Sequence, residues 1–534
     1  MPILSILGGA SIADLAQEAA GRLPPSAIPL VESADRDAAS EPANSNQQNG
    51  LEPPSVNLDS GSDTYPTGPL LTDEVPSDEP TIVRQEPLSL GQEYSWKLQM
   101  QHLENPTIFN NTIGMFIKGN IDLGRLTRAL NHSLSRHEIF RTAFFESQHD
   151  SQPVQAIMKA PTSRFRVIPV ADRAAAEEGF QQLERARYDI AAGETLKLVD
   201  FYWSGGDQHL LVIAYYRLVG DGSTTENLFA EATQLYNGAN LSPPPQFSSL
   251  AERQRSDLES GRMDADIAYW ESMYRIAPPA VLPVMPLPQA QRRRAAPITW
   301  EQHTASARLN PMVALRVKER SRQHKATPMQ FYLAAYNILL ARLTGSTDTV
   351  IGIADTNRST VEELSVMGFF ANLLPVRMPA YSTSETFGDE FTATKEVMRQ
   401  AMQHARVPYG VTLERLGLLA EQSNNPSEGN KKTLLHAPLF QAVFDYRQGQ
   451  AESGTIGGAS IVEVVASRER TPYDVVLEMS DDPTRDPLIT VKLQSSLYGP
   501  LDPQAFVDGY LSILASFSMN PALRVNEARL VTGD

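Results

Sequence analysis

A phenol, a guanidinium and a carboxylate fall within one short stretch: Tyr216, Arg217 and Asp221, with Gly222 next. A phenol with an ordinary pKa near 10 and a guanidinium that stays protonated offer donors and positive charge, but no base near neutral pH. Such a pair could hold a developing oxyanion or a phosphate. The alternative is that Arg217 is an ordinary loop cation paired with Asp221 or another acid. Other chemistries are excluded. Cysteine is absent, which removes disulfides, thiolate zinc sites and a cysteine nucleophile together. The nine histidines include no His-x-x-x-His or His-Glu-x-x-His spacing, so no metal site is expected. His209 lies eight residues before Arg217, too far along an extended strand to take its place. Gly457-Gly458 and the other glycine pairs lack phosphate-loop spacing.

The elements that must position this group read as strand, tight loop and helix. Residues 210–214 are a short, branched, apolar run that ends near a Gly-Asp-Gly turn, the pattern of a buried strand. Ser223, with Glu226 three residues on, has the spacing of a capping box, and Leu228, Phe229, Ala232, Leu235 and Tyr236 keep helical spacing after it. Further helices are expected over 123–134, 248–274 and 328–343, and a buried strand over 349–353.

Asp221-Gly222 and the elements around it resemble the His-His-x-x-x-Asp-Gly motif of the condensation domains of nonribosomal peptide synthetases, with Tyr216 and Arg217 in place of both histidines. Other segments resemble that family in the family's order: Pro87-Leu-Ser-Leu-Gly-Gln-Glu-Tyr94, Arg136-His-Glu-Ile-Phe-Arg-Thr-Ala-Phe144, Tyr188-Asp-Ile-Ala-Ala-Gly-Glu-Thr-Leu196, Ile351-Gly-Ile-Ala-Asp-Thr-Asn-Arg358, Met367-Gly-Phe-Phe-Ala-Asn-Leu-Leu-Pro-Val-Arg377, Gln403-His-Ala-Arg-Val-Pro-Tyr409, His436-Ala-Pro-Leu-Phe-Gln-Ala-Val-Phe-Asp-Tyr446 and Tyr473-Asp-Val-Val-Leu477. Their forms look like the branch joined to fungal polyketide synthases. The resemblance implies an α/β fold of two chloramphenicol-acetyltransferase-like lobes in a V around a central tunnel. It implies amide formation between a polyketide acyl thioester and an aminoacyl thioester, each carried on the phosphopantetheine arm of a carrier domain, with no covalently bound cofactor. In the family the second histidine handles the amine proton and the aspartate braces the loop through an arginine. Tyr216, Arg217, Asp221 and Gly222 therefore make a degenerate catalytic motif, and Arg141, Asn372 and Arg377, in the matching segments, are candidate binding residues. His137, His404 and His436 are expected to make structural hydrogen bonds. The first expectation is lost or reduced amide formation; the alternative is an active acyltransferase assisting release or cyclisation of a polyketide chain, as a terminal condensation-like domain would.

Length and composition frame these readings. At 534 residues, 41% hydrophobic and 20% charged, the chain is long enough for two or three ordinary domains. Residues 1–90 carry 3 basic against 14 acidic side chains, most of the net charge of −17, which argues against nucleic-acid binding. No apolar run of membrane-spanning length and no signal peptide is read, so a cytoplasmic protein is expected, a monomer when excised. The opening residues, with an amphipathic helix over 11–23, resemble the last helix of the acyl carrier domains of fungal highly reducing polyketide synthases, without the Asp-Ser-Leu attachment site. The expected organisation is a carrier remnant (1–24), a disordered acidic linker (25–86), a first lobe (87–275), a connection (276–294) and a second lobe (295–534). The basic triplet at 292–294 reads as a solvated loop.

Overall fold

The computed structural model describes residues 81–102, 105–294, 300–419, 436–448, 455–467, 470–481 and 485–530. The helix expected over 11–23 and the linker expected from residue 25 as far as residue 80 lie outside the described residues.

Two α/β lobes carry the described chain, each with its own hydrophobic core. The first is built on the strand Gln208–Tyr216, in which His209 to Tyr216 are all buried. A strand apolar on both faces must lie inside a sheet. It pairs antiparallel with Asn110–Lys118 on one side and Leu196–Trp203 on the other. The helices Leu123–Arg136 and Gly222–Tyr236 join the core that covers it. The second lobe has a six-stranded sheet in which Ala442–Gln448 is central, parallel to both Val350–Asp355 and Val475–Asp481. Its core helix, Pro328–Thr344, opens on a capping box between Thr327 and Gln330 and stops at Gly345, whose φ of 71° is left-handed.

Several sequence expectations shift. The linker was expected to reach residue 86, but Ile82–Pro87 is already a strand, paired with Pro153–Met158. Ile82 and Val83 are exposed, so backbone pairing and the ion pair of Arg84 with Glu138 hold this strand, and hydrophobic pattern does not reveal it. The helix expected over 248–274 is two helices, Phe247–Glu259 and Asp264–Tyr274, parted near Gly261 at φ 75°. Arg294 is not a solvated loop cation: it forms a bidentate pair with the buried Asp474 and donates to the Leu282 carbonyl, fastening the connection to the second lobe. Finally, Ala459–Ala466, within the segment assigned to the second lobe, pairs antiparallel with Asn110–Lys118 and so extends the first-lobe sheet.

One of the buried ionisable groups of the second lobe carries a stability cost that depends on pH. Glu390, on the helix Phe387–Gln403, is 2% exposed and accepts a hydrogen bond from Asn337 Nδ2 at 2.9 Å. Burial pushes its carboxyl up to about 7, with Asn337 opposing. Because the folded pKa lies above the unfolded value, the carboxyl is best tolerated below about pH 4.5 and its cost grows as pH rises to about 7. Glu390→Gln, which keeps the acceptor, is expected to flatten stability across that window and to gain roughly 3 kcal/mol over the native protein at alkaline pH. Urea unfolding at about pH 5 and about pH 8 measures this; parallel profiles for the two proteins would count against it.

Candidate active site

The strand Gln208–Tyr216 delivers Tyr216 to its end, a 3-10 turn Arg217–Val219 follows, and Asp221 caps the helix Gly222–Tyr236. The cap differs from the one expected. Ser223 lies inside the helix, and the capping box is made by Asp221, whose Oδ1 accepts from Thr224 N at 3.0 Å, while Asp221 N donates to the Thr224 hydroxyl oxygen at 3.3 Å. The helix Leu90–Gln101 fixes the loop from below: Gln92, held by the Ser89 cap, donates from Nε2 to the Leu218 carbonyl at 2.8 Å.

Asp221 is bound to the other lobe. Arg358 donates from Nη1 to Oδ2 at 2.8 Å and from Nη2 to Oδ1 at 3.0 Å, and the backbone amides of Phe370 and Ala371 also reach Oδ2, at 3.0 and 3.2 Å. Arg358, 2% exposed, stacks its guanidinium on the Phe370 ring at 4.2 Å and donates to the carbonyls of Val366 and Gly368. Thr224 exchanges hydrogen bonds with the backbone of Gly368. That position admits only glycine, because a Cβ would meet the Phe247 ring.

Arg217 does not pair with Asp221, whose oxygens are occupied. It is half-buried, and its guanidinium has no hydrogen bond or ion pair to any described residue. Its charge reaches the phenols of Tyr94, Tyr216 and Tyr473, favouring their ionised forms against burial. Burial wins at Tyr216: the side chain is 3% exposed, packs on Phe109 and Tyr188, and its pKa is driven well above the ordinary value. The Tyr216 hydroxyl has no hydrogen-bond partner among the described residues. At Gly222 a Cβ would meet only open space, and the amides of Gly222 and Ser223 have no acceptor among the described residues.

The three expected binding residues are not gathered here. Arg141 donates to the Met158 carbonyl and lies 3.5 Å from Glu138. Asn372 donates to the carbonyls of Ala405 and Val407 and accepts from Tyr409 N. Arg377 pairs with Asp348 and donates to the carbonyls of Met273 and Ala277. Each braces backbone or a neighbouring acid. The histidines are likewise occupied: His137 with Glu231 at 3.0 Å, His404 with Asp266 at 2.8 Å, His436 with the Ala437 carbonyl. Sequence reasoning did not single out Arg358, Thr224, Gln92, Tyr94 or Tyr473; the signal for Arg358 was its place in the Asp-Thr-Asn-Arg segment. Tyr94 also lines a pocket of about 510 Å³, with Leu90 and Lys97 from its own helix and Gly410, Val411 and Glu414 from the second lobe. Among the described residues no cluster of three potential ligands could hold a metal, and no helix is long and apolar enough to cross a membrane.

Two α/β lobes joined over an Asp-Gly loop define a chloramphenicol-acetyltransferase-like architecture. The chain belongs to the condensation-domain family, whose pattern matches residues 83–534. It is similar to the polyketide synthase component of lovastatin nonaketide synthase from Aspergillus terreus, 57% identical over 536 residues, covering 98% of this chain and 17% of that protein. A polyketide synthase-nonribosomal peptide synthetase of Aspergillus flavipes is 31% identical over 456 residues, covering 85% of this chain and 11% of that one. Among solved structures, the condensation domain of the monacolin K polyketide synthase MokA is 57% identical with a TM-score of 0.77, covering 83% of this chain and all of that one. The chain thus spans about 17% of the length of the synthase most fully aligned above.

Two stability effects follow from this geometry. Asp221→Ala leaves Arg358 buried without its anion and is expected to cost about 3–5 kcal/mol, whatever the activity; a denaturation midpoint within error of native would refute the bracing role. Tyr216→Phe removes a buried hydroxyl that has no partner and is expected to hold or raise stability by about 1 kcal/mol. A clear loss of stability in that variant would point to an interaction of the hydroxyl that is not seen here.

Proposed function

We propose that this is a condensation domain of fungal polyketide secondary metabolism that keeps the family's architecture and has lost its proton-transfer chemistry, so that it forms amides poorly or not at all. The observation that carries this reading is the identity of the base position. Arg217 cannot accept a proton, and the Tyr216 phenol is raised further from neutrality by burial. Carrier domains with phosphopantetheine arms are the proposed partners. The similarity to polyketide synthases, which extends over 98% of the chain, supports the further proposal that residues 1–24 are the tail of a carrier domain and 25–86 its linker to the lobes at 87–275 and 295–534.

A second reading, acyl transfer that assists release or cyclisation of a polyketide chain, is favoured by a different observation. A guanidinium and two amides, of Gly222 and Ser223, that have no partner among the described residues flank the same loop, and such donors stabilise the oxyanion of a carbonyl addition without needing a base. One set of assays separates the two. With acyl and aminoacyl thioesters on carriers, native protein is expected to form amide at a rate lower by about 10²–10⁴ than a domain with an intact base. Replacing both residues, Tyr216→His with Arg217→His, is expected to raise that rate. Fast acyl transfer by the native protein that disappears in a folded Arg217→Ala variant would instead establish the second reading.

A further inference from the structure

The charge at the loop is unbalanced. Arg217 has given up part of its water without gaining an anion among the described residues, and its charge reaches the phenols of Tyr94, Tyr216 and Tyr473. Asp221, the loop's own carboxylate, is saturated by Arg358 and two backbone amides. A half-buried guanidinium of this kind is a receptor for a planar anion, which it can hold through two parallel hydrogen bonds. The surroundings are aromatic. Tyr216 packs on Phe109, Tyr473 stacks on Phe440 at 5.3 Å, and Tyr94 meets Tyr409 edge-on at 5.6 Å.

We propose that this site binds an acyl chain bearing a carboxylate, with Arg217 paired to the carboxylate and the partly exposed rings of Tyr94 and Tyr473, one from each lobe, against the apolar chain. The proposal rests on the reading above that Arg217 stands in the base position and goes beyond it by naming the ligand class. The same charge disfavours an amine, which is protonated near neutral pH and repelled by the guanidinium. A site that in the family receives an amine is here turned towards an acid: a carboxylic acid product, or an acyl group with a second, free carboxylate. A phosphate of a pantetheine arm shares the anionic chemistry and is the competing source.

The test is calorimetric titration of the full chain with decanoate, decanamide, decylamine and phosphopantetheine. Decanoate is expected to bind roughly 10- to 100-fold more tightly than its neutral amide, as a charge-assisted hydrogen-bonded pair allows, and decylamine most weakly. Arg217→Gln should erase the preference for decanoate over decanamide at unchanged thermal stability, and Arg217→Lys should keep part of it. Equal affinities for acid and amide, no measurable binding of decanoate, or a preference that survives Arg217→Gln would overturn the proposal. Phosphopantetheine binding that depends on Arg217 and exceeds that of decanoate would reassign the cation to the carrier arm and overturn it as well. The amide-formation assay is independent: a native protein that condenses amines quickly would defeat the loss-of-base reading whatever these titrations give.

Discussion

The buried pair between Asp221 and Arg358 is the constraint on which the rest of this structure depends. It joins the two lobes, caps the helix that follows the site loop, and fixes the backbone of 366–371 through the same two side chains. Burying two charges is costly, and the pair is tolerable because nearly every donor and acceptor around it is used. The neighbouring contacts share that logic: Thr224 bonds the backbone of Gly368, Asn227 donates to the Leu364 carbonyl, and Phe247 packs where Gly368 has no side chain. The lobes are therefore held at the site itself, and the loop that carries Arg217 has little freedom to rearrange.

Away from the site the lobes are tied by backbone. The strand Ala459–Ala466 lies in the first-lobe sheet although the chain on either side of it serves the second, and Ser467 N continues the pairing to the Thr112 carbonyl at 2.6 Å. Arg377 and Arg294 clamp the connecting segment from opposite ends. Each uses a guanidinium to satisfy carbonyls that a loop leaves open, which suits its planar fan of donors. The first-lobe sheet carries its own buried charge: both ring nitrogens of His209 meet acceptors, Asp200 Oδ2 at 2.8 Å and the Gly206 carbonyl at 3.0 Å. Burial disfavours the charged ring, yet Asp200 leaves its pKa above the ordinary value.

The loop contrasts two arginines. Arg358 spends both terminal nitrogens on Asp221 and backbone carbonyls, whereas the half-buried guanidinium of Arg217 has no hydrogen bond or ion pair among the described residues. Their difference lies in the partners that folding supplies, and it separates bracing from chemistry. With a permanent cation at 217 beside a buried phenol at 216, the loop's resources are charge and donors, which favour negative charge in a ligand or intermediate over removal of a proton.

The sequence by itself determined the family, the two-lobed α/β class and the position of the site loop, because these rest on local patterns: a doubly buried strand from 210 to 214, an Asp-Gly turn, and ordered segments from Ser89-Leu-Gly-Gln92 to Tyr473. It also gave the decisive chemical fact, the absence of imidazole at 216 and 217, since that is a matter of residue identity. Tertiary structure decided what depends on partners distant in the chain. Local spacing favoured Ser223 as the helix cap, but Asp221 takes that role while also meeting Arg358, 137 residues away. Arg141, Asn372 and Arg377 looked available as binding residues, and each proved to be consumed by nearby carbonyls or acids. The exposed strand Ile82–Pro87 carries too little hydrophobic pattern to announce itself, and Ala459–Ala466, though rich in Val and Ile, does not reveal that it joins the first-lobe sheet, because backbone pairing with a distant strand decides that. Whether Arg217 was paired could not be read from its neighbours in sequence, because the acid it might have used was claimed from the other lobe.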